Sequence, residues 1–267
     1  MAPECRGSSQ SSVTVPRWPL AELIQFALCP TLFVSSACWV VLAIIAMAAV
    51  LNRLNQAPTA PGPAKPTAAD LNAPRSLRVA AAKVGFHPQL IPGVGQIEDK
   101  SASDSPAPNN TALLKPGTVA PAFSLKTPEG DAVSLSDYAG KALLIEFFAT
   151  SCPHCQAEAP HLRGLYKTLD TSREQMVSIN ADSEGAPSVY AFHRYFGLAY
   201  PALLDTGAKV GSWHSPQAPG PITDAYHIQG YPTFYVIAPD GTVHWASDSE
   251  QPTAKLKQEL DGAAAGA

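Results

Sequence analysis

The order of apolar and polar positions divides the 267-residue chain into three parts. A mostly apolar stretch without charged residues lies at 23–51, a mostly polar and Pro-rich segment follows at 56–114, and short apolar runs with helix or strand spacing fill 115–260. The third part holds about 145 residues, which is enough for one well-buried core. We therefore expect one folded domain that follows an apolar segment and a linker.

The apolar stretch near the N-terminus predicts a membrane anchor. It contains no charged residue, and its central run, Thr31–Leu51, has 21 residues. At about 1.5 Å per residue a helix of that length crosses the roughly 30 Å hydrocarbon layer of a bilayer. We predict a cytoplasmic tail at 1–22 and a single transmembrane helix at 23–52. Because Ala46-Met47-Ala48 resembles a small-residue cleavage site, a cleaved signal peptide stays open as an alternative.

A flexible linker is predicted at 53–114, which is rich in Pro, Ala, Ser and Asn. This composition favours an extended, solvated chain over a packed core. One short run, Arg75–Lys83, has the spacing of an amphipathic helix, which we expect to be marginal. The linker would hold the folded domain away from the membrane surface.

The folded domain is predicted at 115–262, where strand-like and helix-like runs alternate. We predict strands at Phe123–Leu125, Asp131–Val133, Ala142–Ala149, Gln175–Ala181 and Tyr200–Leu204, and helices at Pro153–Leu169, Ala186–Phe196 and Thr253–Leu260. Two further runs, Tyr231–Ala238 and Thr242–Ala246, flank Pro239-Asp240-Gly241 and predict a hairpin. This order of elements predicts an α/β fold with a central mixed sheet flanked by helices.

Charge and cysteine content argue against two classes of protein. The formal net charge is -4 and no block of Lys or Arg stands out, so we expect no nucleic-acid partner. Five cysteines are too few for a scaffold held together by disulfides. Cys29 and Cys38 fall on opposite faces of the predicted anchor, so we interpret them as small apolar residues in lipid.

The remaining pair, Cys152-Pro153-His154-Cys155, carries the candidate chemistry. The motif follows a buried strand and opens a helix, where the helix N-terminus stabilises a thiolate. Two cysteines at this spacing can close a small disulfide ring and reopen it. A structural zinc site would need two more ligands, and the folded region has no third cysteine and no paired histidines. We therefore expect no metal and no cofactor beyond a redox-active Cys152–Cys155 disulfide.

Three matches give the chain a family resemblance over about Lys115–Leu260. Glu146 lies six positions before the first cysteine, Pro160 lies five positions after the second, and Gly230-Tyr231-Pro232-Thr233-Phe234 precedes the hairpin. With the Lys115–Leu125 lead-in, this pattern resembles the TlpA/redoxin-like group of thioredoxin-fold thiol-disulfide oxidoreductases. The resemblance implies a thioredoxin-like fold.

The resemblance also implies a role for each residue of the site. Cys152 would be the exposed nucleophile, with a pKa lowered by the helix N-terminus and His154, and Cys155 the buried resolving thiol. Glu146 would lie beneath Cys155 as a proton acceptor whose pKa burial raises, unless it is an edge carboxylate that faces water. A cis Pro232 would place the Tyr231 backbone beside Cys152 to pair with an extended substrate, and His154 would face the same substrate.

Several positions depart from the family pattern. Ser151 stands where the family has Trp, and the Pro-His dipeptide resembles the oxidase DsbA. Tyr231 lies only 76 positions after Cys155, which is too close for the inserted helical domain of DsbA. Residues 211–221 resemble an insertion that could shape the substrate face or form a solvated loop. A peroxiredoxin would carry Thr at the position of Ala149, and a copper chaperone of the Sco type would carry CxxxC.

The function expected from these features is that of a membrane-anchored thiol-disulfide oxidoreductase. We expect it at the bacterial inner membrane with its redox domain in the periplasm, where it exchanges disulfides with protein substrates and with a membrane electron donor or acceptor. The TlpA-like body favours a reductase, for example in cytochrome c maturation, whereas the Pro-His dipeptide favours an oxidase. A non-catalytic partner-binding or holdase module on the same fold is the alternative.

Overall fold

The structure, a computed structural model, describes residues 72–89, 91, 94–95, 112–182, 184–205 and 221–266. The predicted tail and anchor at 1–52, and the 211–221 insertion apart from Pro221, lie outside these residues. In the described part of the chain, no helix has the length and apolar character needed to cross a bilayer.

The described residues form one seven-stranded sheet with helices packed against it. The strands are β1 (Ser124–Lys126), β2 (Ala132–Ser134), β3 (Ala142–Phe148), β4 (Glu174–Asn180), β5 (Ala202–Leu204), β6 (Thr233–Ile237) and β7 (Val243–Ser247). The α-helices are α1 (Arg75–Val84), α2 (Pro153–Tyr166), α3 (Gly185–Phe196), α4 (Pro221–Ala225) and α5 (Thr253–Ala265), and a 3₁₀ turn spans Leu135–Tyr138.

The sheet is mixed, with strand order β2-β1-β5-β4-β3-β6-β7. β3 pairs in parallel with β4 and antiparallel with β6, and β6 continues into the predicted hairpin with β7. All seven residues of β3 are buried because both faces of this inner strand are covered. The predicted thioredoxin-like α/β fold is confirmed.

Side-chain alternation along β3 divides the interior into two cores. Phe148 packs with residues of α2, α3 and α5 on one face, and Phe147 packs with Tyr226 and Tyr235 on the other. Because side chains alternate along a strand, Glu146 points to the same face as Phe148. This is the face that α2 covers, so Glu146 is directed toward the helix that carries the cysteines.

Helix α2 begins where the sequence predicts, at Pro153. Cys152 is its N-cap, and Pro153 occupies the first helical position, where a missing N–H costs little. Pro160 lies inside the helix, where it cannot donate to the carbonyl of Gln156. The helix ends at Tyr166, three residues before the predicted end.

Helix α1 lies in the segment predicted to be a linker, and it is packed rather than marginal. Its Leu77 and Ala81 are buried and form a small core with Tyr190 of α3. Directly after α1, the ring of Phe86 lies 5.2 Å from that of Phe192 and 5.5 Å from that of Phe196. An isolated ten-residue helix has little stability in water, so packing against α3 supplies the stability that α1 lacks by itself.

Candidate active site

Cys152 lies at the junction between β3 and α2 and is partly exposed. Its Sγ accepts the backbone N–H of Cys155 at 3.4 Å. The thiol of Cys155, followed by the backbone N–H groups of Cys155 and His154, lowers the pKa of Cys152 against the opposing effect of burial. A thiol of this kind is present as the reactive thiolate over a wider range of pH.

Cys155 lies one helical turn further along α2 and is fully buried as a free thiol. Burial, together with the neighbouring Cys152 and Glu146, raises the pKa of its thiol well above the ordinary value. The two cysteines therefore differ in both access and acidity. Cys152 is suited to attack a partner, and Cys155 is suited to attack only after a base takes its proton.

Glu146 supplies a carboxyl in this interior. Its exposed fraction is 2%, and it belongs to the inner strand β3, so the alternative of an edge carboxylate that faces water is wrong. Burial, and then the charge of Cys152, raise the pKa of Glu146 to about 8, while Tyr200 acts in the opposite direction. Such a carboxyl can hold or release a proton near neutral pH.

Two further ionisable groups of this interior were not predicted from the sequence. Glu158 has an exposed fraction of 2%, and its Oε1 accepts the backbone N–H of Gln251 at 3.2 Å. Tyr200 is also buried, and the charges of Glu146, Glu158 and Cys155 add to burial in raising the pKa of its phenol. The spacing of Glu158 from Cys155, three residues along one helix, is the sequence signal that could have identified it.

The Tyr231–Pro232 peptide bond is cis, as predicted. The Cys152 thiol donates to the Tyr231 carbonyl at 3.5 Å, and the Tyr231 hydroxyl donates to the Ala181 carbonyl at 2.8 Å. The backbone before β6 is thus held beside the nucleophile. An extended substrate strand could pair with this backbone while its disulfide approaches Cys152.

His154 occupies the variable dipeptide between the cysteines. Its Nδ1 lies 2.6 Å from Oε1 of Glu250, in the loop before α5. The side chain of His154 is 50% exposed and that of Glu250 is 16% exposed. Glu250 was not predicted, because no local pattern links two residues 96 positions apart.

Comparison with known proteins agrees with this geometry. The AhpC/TSA family matches residues 116–246. Thiol-disulfide oxidoreductase ResA of Halalkalibacterium halodurans is 30% identical over 143 residues, which are 52% of this chain and 74% of that protein. The chain belongs to the redoxin-like thiol-disulfide oxidoreductase family. The residues of the site can therefore be interpreted as those of a family member.

Two further similarities describe the extent of the match. Thiol-disulfide oxidoreductase ResA of Bacillus subtilis (strain 168) is 30% identical over 130 residues, and the aligned part spans 49% of this chain and 65% of that protein. A thiol:disulfide interchange protein of the thioredoxin family from Chlorobium tepidum TLS has a solved structure that superposes with a TM-score of 0.46. That superposition covers 57% of this chain and 99% of that chain at 28% identity.

In this family member another glutamate, Glu184, fixes the loop that precedes the nucleophile. Glu184 accepts the backbone N–H of Thr150 at 2.6 Å and that of Ser151 at 3.0 Å, and the Asn180 side chain donates to the same carboxylate at 3.1 Å. Hydrogen bonds to a charged acceptor are stronger than those between neutral groups. Ser151, which replaces the family's Trp, is thus held through its backbone.

Gln156 connects this loop to the segment that follows α1. Its side-chain amide donates to the Thr150 carbonyl at 2.8 Å, and its Oε1 accepts the backbone N–H of Gln89 at 2.5 Å. Gly95 lies so close to Ala157 that an added Cβ would come within 2.8 Å of the alanine Cβ. Part of the predicted linker therefore contacts the first turns of the active-site helix.

The cysteine pair is the redox group of this site. Among the residues that the structure describes, no three His, Cys, Asp or Glu side chains are grouped so that they could hold a metal ion. Ala149, at the position where a peroxiredoxin carries Thr, is buried and offers no hydroxyl beside Cys152. The two free thiols, one partly exposed and one buried, are suited to exchange with disulfides.

Proposed function

We propose that this chain reduces disulfides in proteins outside the bacterial cytoplasm by thiol–disulfide exchange at Cys152 and Cys155. The observation that carries this proposal is the pairing of a partly exposed thiol of lowered pKa with a buried thiol of raised pKa one helical turn away. Attack by the first and resolution by the second follow from that difference.

The reaction balances in two steps. The Cys152 thiolate attacks a substrate disulfide, forms a mixed disulfide and releases one substrate thiolate, which takes a proton from solvent. Cys155 then gives its proton to Glu146 and attacks Sγ of Cys152, which releases the second substrate sulfur as a thiolate that takes a proton from solvent. The products are a reduced substrate and a Cys152–Cys155 disulfide.

Glu146 is suited to the second step because its proton affinity responds to the first. The charge of Cys152 contributes to the raised pKa of Glu146. Once Cys152 is in a mixed disulfide it carries no charge, so that contribution disappears. Glu146 then loses its own proton more readily and can accept the proton of Cys155.

Disulfide formation is a second candidate, and the Pro153-His154 dipeptide favours it. A dipeptide that stabilises the thiolate stabilises the reduced protein, and this makes the disulfide a stronger oxidant. The TlpA-like body and the carboxylate of Glu250 against His154 favour reduction. We expect a thioredoxin-like reduction potential.

We also propose the cellular setting that the sequence predicts. Residues 23–52 anchor the chain in the inner membrane, and the redox domain faces the periplasm. Its partners are proteins with accessible thiols or disulfides, among them the CxxCH haem sites of cytochromes c during maturation, and a membrane protein that supplies electrons. Protease accessibility of the full chain in spheroplasts tests the topology, because an outward domain is digested and an inward one is protected.

Substitution of each cysteine tests the exchange reaction. Cys155→Ala should accumulate a mixed disulfide with a substrate protein, since nothing resolves it, and Cys152→Ser should form none. A non-catalytic binding or holdase module predicts the same substrate binding and the same cellular phenotype for wild type and Cys152→Ser. Equal behaviour of those two proteins would contradict the proposed function.

A further inference from the structure

The contact between His154 and Glu250 lies at the exposed edge of the redox site. The two side chains come from separate elements, the start of α2 and the loop before α5, and meet at 2.6 Å. Glu250 is the more buried of the two, with 16% exposure against 50% for His154. The surrounding residues therefore fix the Glu250 carboxylate, and its contact with Nδ1 fixes the orientation of the His154 imidazole.

Charges of both signs face the Cys152 thiol. The amides at the start of α2 and a protonated His154 favour the thiolate, whereas the carboxylate of Glu250 opposes it, and Glu146 opposes it only after losing the proton that its raised pKa retains. Among the causes acting on Cys152, Glu250 raises the pKa of the thiol. Cys155 donates to Cys152 and carries no charge while its own pKa is raised, and the Glu184 carboxylate accepts the amides of Thr150 and Ser151 just before Cys152.

We propose that Glu250 is a positioning residue of the redox site, which fixes the His154 imidazole and offsets its positive charge, so that the Cys152–Cys155 disulfide is less oxidising than the Pro-His dipeptide alone would make it. This inference rests on the proposed exchange function. It concerns the Pro153-His154 dipeptide, which departs from the TlpA-like pattern. Glu250 is the residue that compensates for the charge of His154 in that dipeptide.

The effect on the equilibrium follows from which state carries the thiolate. With glutathione the reaction is protein disulfide plus two glutathione thiols giving protein dithiol plus glutathione disulfide. Only the reduced protein contains the Cys152 thiolate, which the Glu250 carboxylate repels. Removal of that carboxylate should therefore favour the reduced protein and make the disulfide the stronger oxidant.

The test compares Glu250→Gln with wild type in the full chain, at one pH that is the same for all variants. We expect the equilibrium constant with glutathione to shift about threefold to tenfold toward the reduced protein, a tenfold shift being about 30 mV. The ultraviolet absorbance of the thiolate should show Cys152 titrating at lower pH. Glu250→Asp, which restores the charge, should return both values toward wild type.

Two controls separate a local charge effect from a general one. Glu259 pairs with His244 at 3.3 Å and with Lys255 at 2.6 Å, so Glu259→Gln removes a carboxylate from a second His–Glu pair of the same domain. It should leave the equilibrium unchanged. In a His154→Ala background the part of the Glu250→Gln shift that acts through the imidazole is lost while direct repulsion of the Cys152 thiolate remains, so the effects of the two substitutions should not be additive.

The outcomes distinguish failure of the role of Glu250 from failure of the proposed exchange function. If Glu250→Gln matches Glu259→Gln or shifts the equilibrium toward the oxidised protein, the role of Glu250 is wrong while the exchange function stands. If wild type fails to exchange with glutathione and with protein disulfides alike, the proposed function fails and this inference fails with it. Circular dichroism of each variant confirms that the fold is retained.

Discussion

The pKa of the buried Glu146 carboxyl depends on the charge of Cys152. Burial, and then the charge of Cys152, raise the pKa of Glu146 to about 8. The two residues belong to different elements, since Glu146 lies on the inner strand β3 and Cys152 caps α2. Formation of a mixed disulfide removes the charge of Cys152 and therefore lowers the pKa of Glu146. The first chemical step thus prepares Glu146 for the second.

Replacement of Glu146 should slow resolution and leave the first attack almost unchanged. Glu146→Gln keeps the size of the side chain but cannot accept the Cys155 proton, so we expect resolution to slow about 10²-fold. Acid quenching followed by mass spectrometry would show the mixed disulfide accumulating. Glu129→Gln, in the turn between β1 and β2, is the control. Resolution at the wild-type rate in Glu146→Gln would refute this role.

The same carboxyl should make stability fall as pH rises. The folded pKa of Glu146 is raised from 4.5 to about 8, so the folded protein keeps a proton that the unfolded chain loses in this window. The unfolding free energy should decline between those two pH values, by up to about 1.4 kcal/mol per pH unit. Denaturant titrations of reduced wild type and Glu146→Gln would measure the difference. Parallel pH profiles for the two proteins would count against it.

His193 should act in the opposite direction at acid pH. It is buried with its Nε2 3.0 Å from the Ser178 hydroxyl, and burial lowers its pKa from 6.5 to about 3. As pH falls, the unfolded chain binds a proton at this histidine and the folded protein does not. The contribution of His193 to stability is therefore complete above pH 6.5 and is lost as pH falls toward 3. Denaturation of His193→Gln across this window should show a flatter slope. The exposed His87→Gln should keep the wild-type slope.

Removal of the Phe86 ring should destabilise the domain although it lies in the predicted linker. The ring contacts Phe192, Tyr195 and Phe196 of α3. Because Phe86 is only partly buried, we expect Phe86→Ala to cost about 2 kcal/mol, below the range for fully buried rings. Chemical denaturation measures this cost. Val79→Ala on α1 is the control, with 60% exposure and an expected change near zero.

Local sequence was enough to predict the elements that carry the cysteines. The unbroken apolar run of β3, the helix start at Pro153 and the hairpin turn at Asp240-Gly241 each depend on neighbouring residues. The family motif added the cis bond before Pro232. These features could be predicted without knowing which distant residues are in contact.

The features that the sequence did not reveal depend on contacts between distant segments. Glu250 reaches His154, Glu184 accepts from Thr150 and Ser151, and Tyr200 approaches Glu146 only after the sheet is assembled. Helix α1 was expected to be marginal for the same reason. Its apolar face is visible in the sequence, but the surface of α3 that receives it is not.

The reduction potential of the Cys152–Cys155 pair tests the central claim most directly. Equilibration of the full chain with glutathione, read by mass spectrometry after thiol alkylation, gives this value. A reductase in which Glu250 offsets His154 should have a potential closer to that of thioredoxin, about −270 mV, than to that of DsbA, about −120 mV. A value near that of DsbA would contradict the account and assign the chain to disulfide formation.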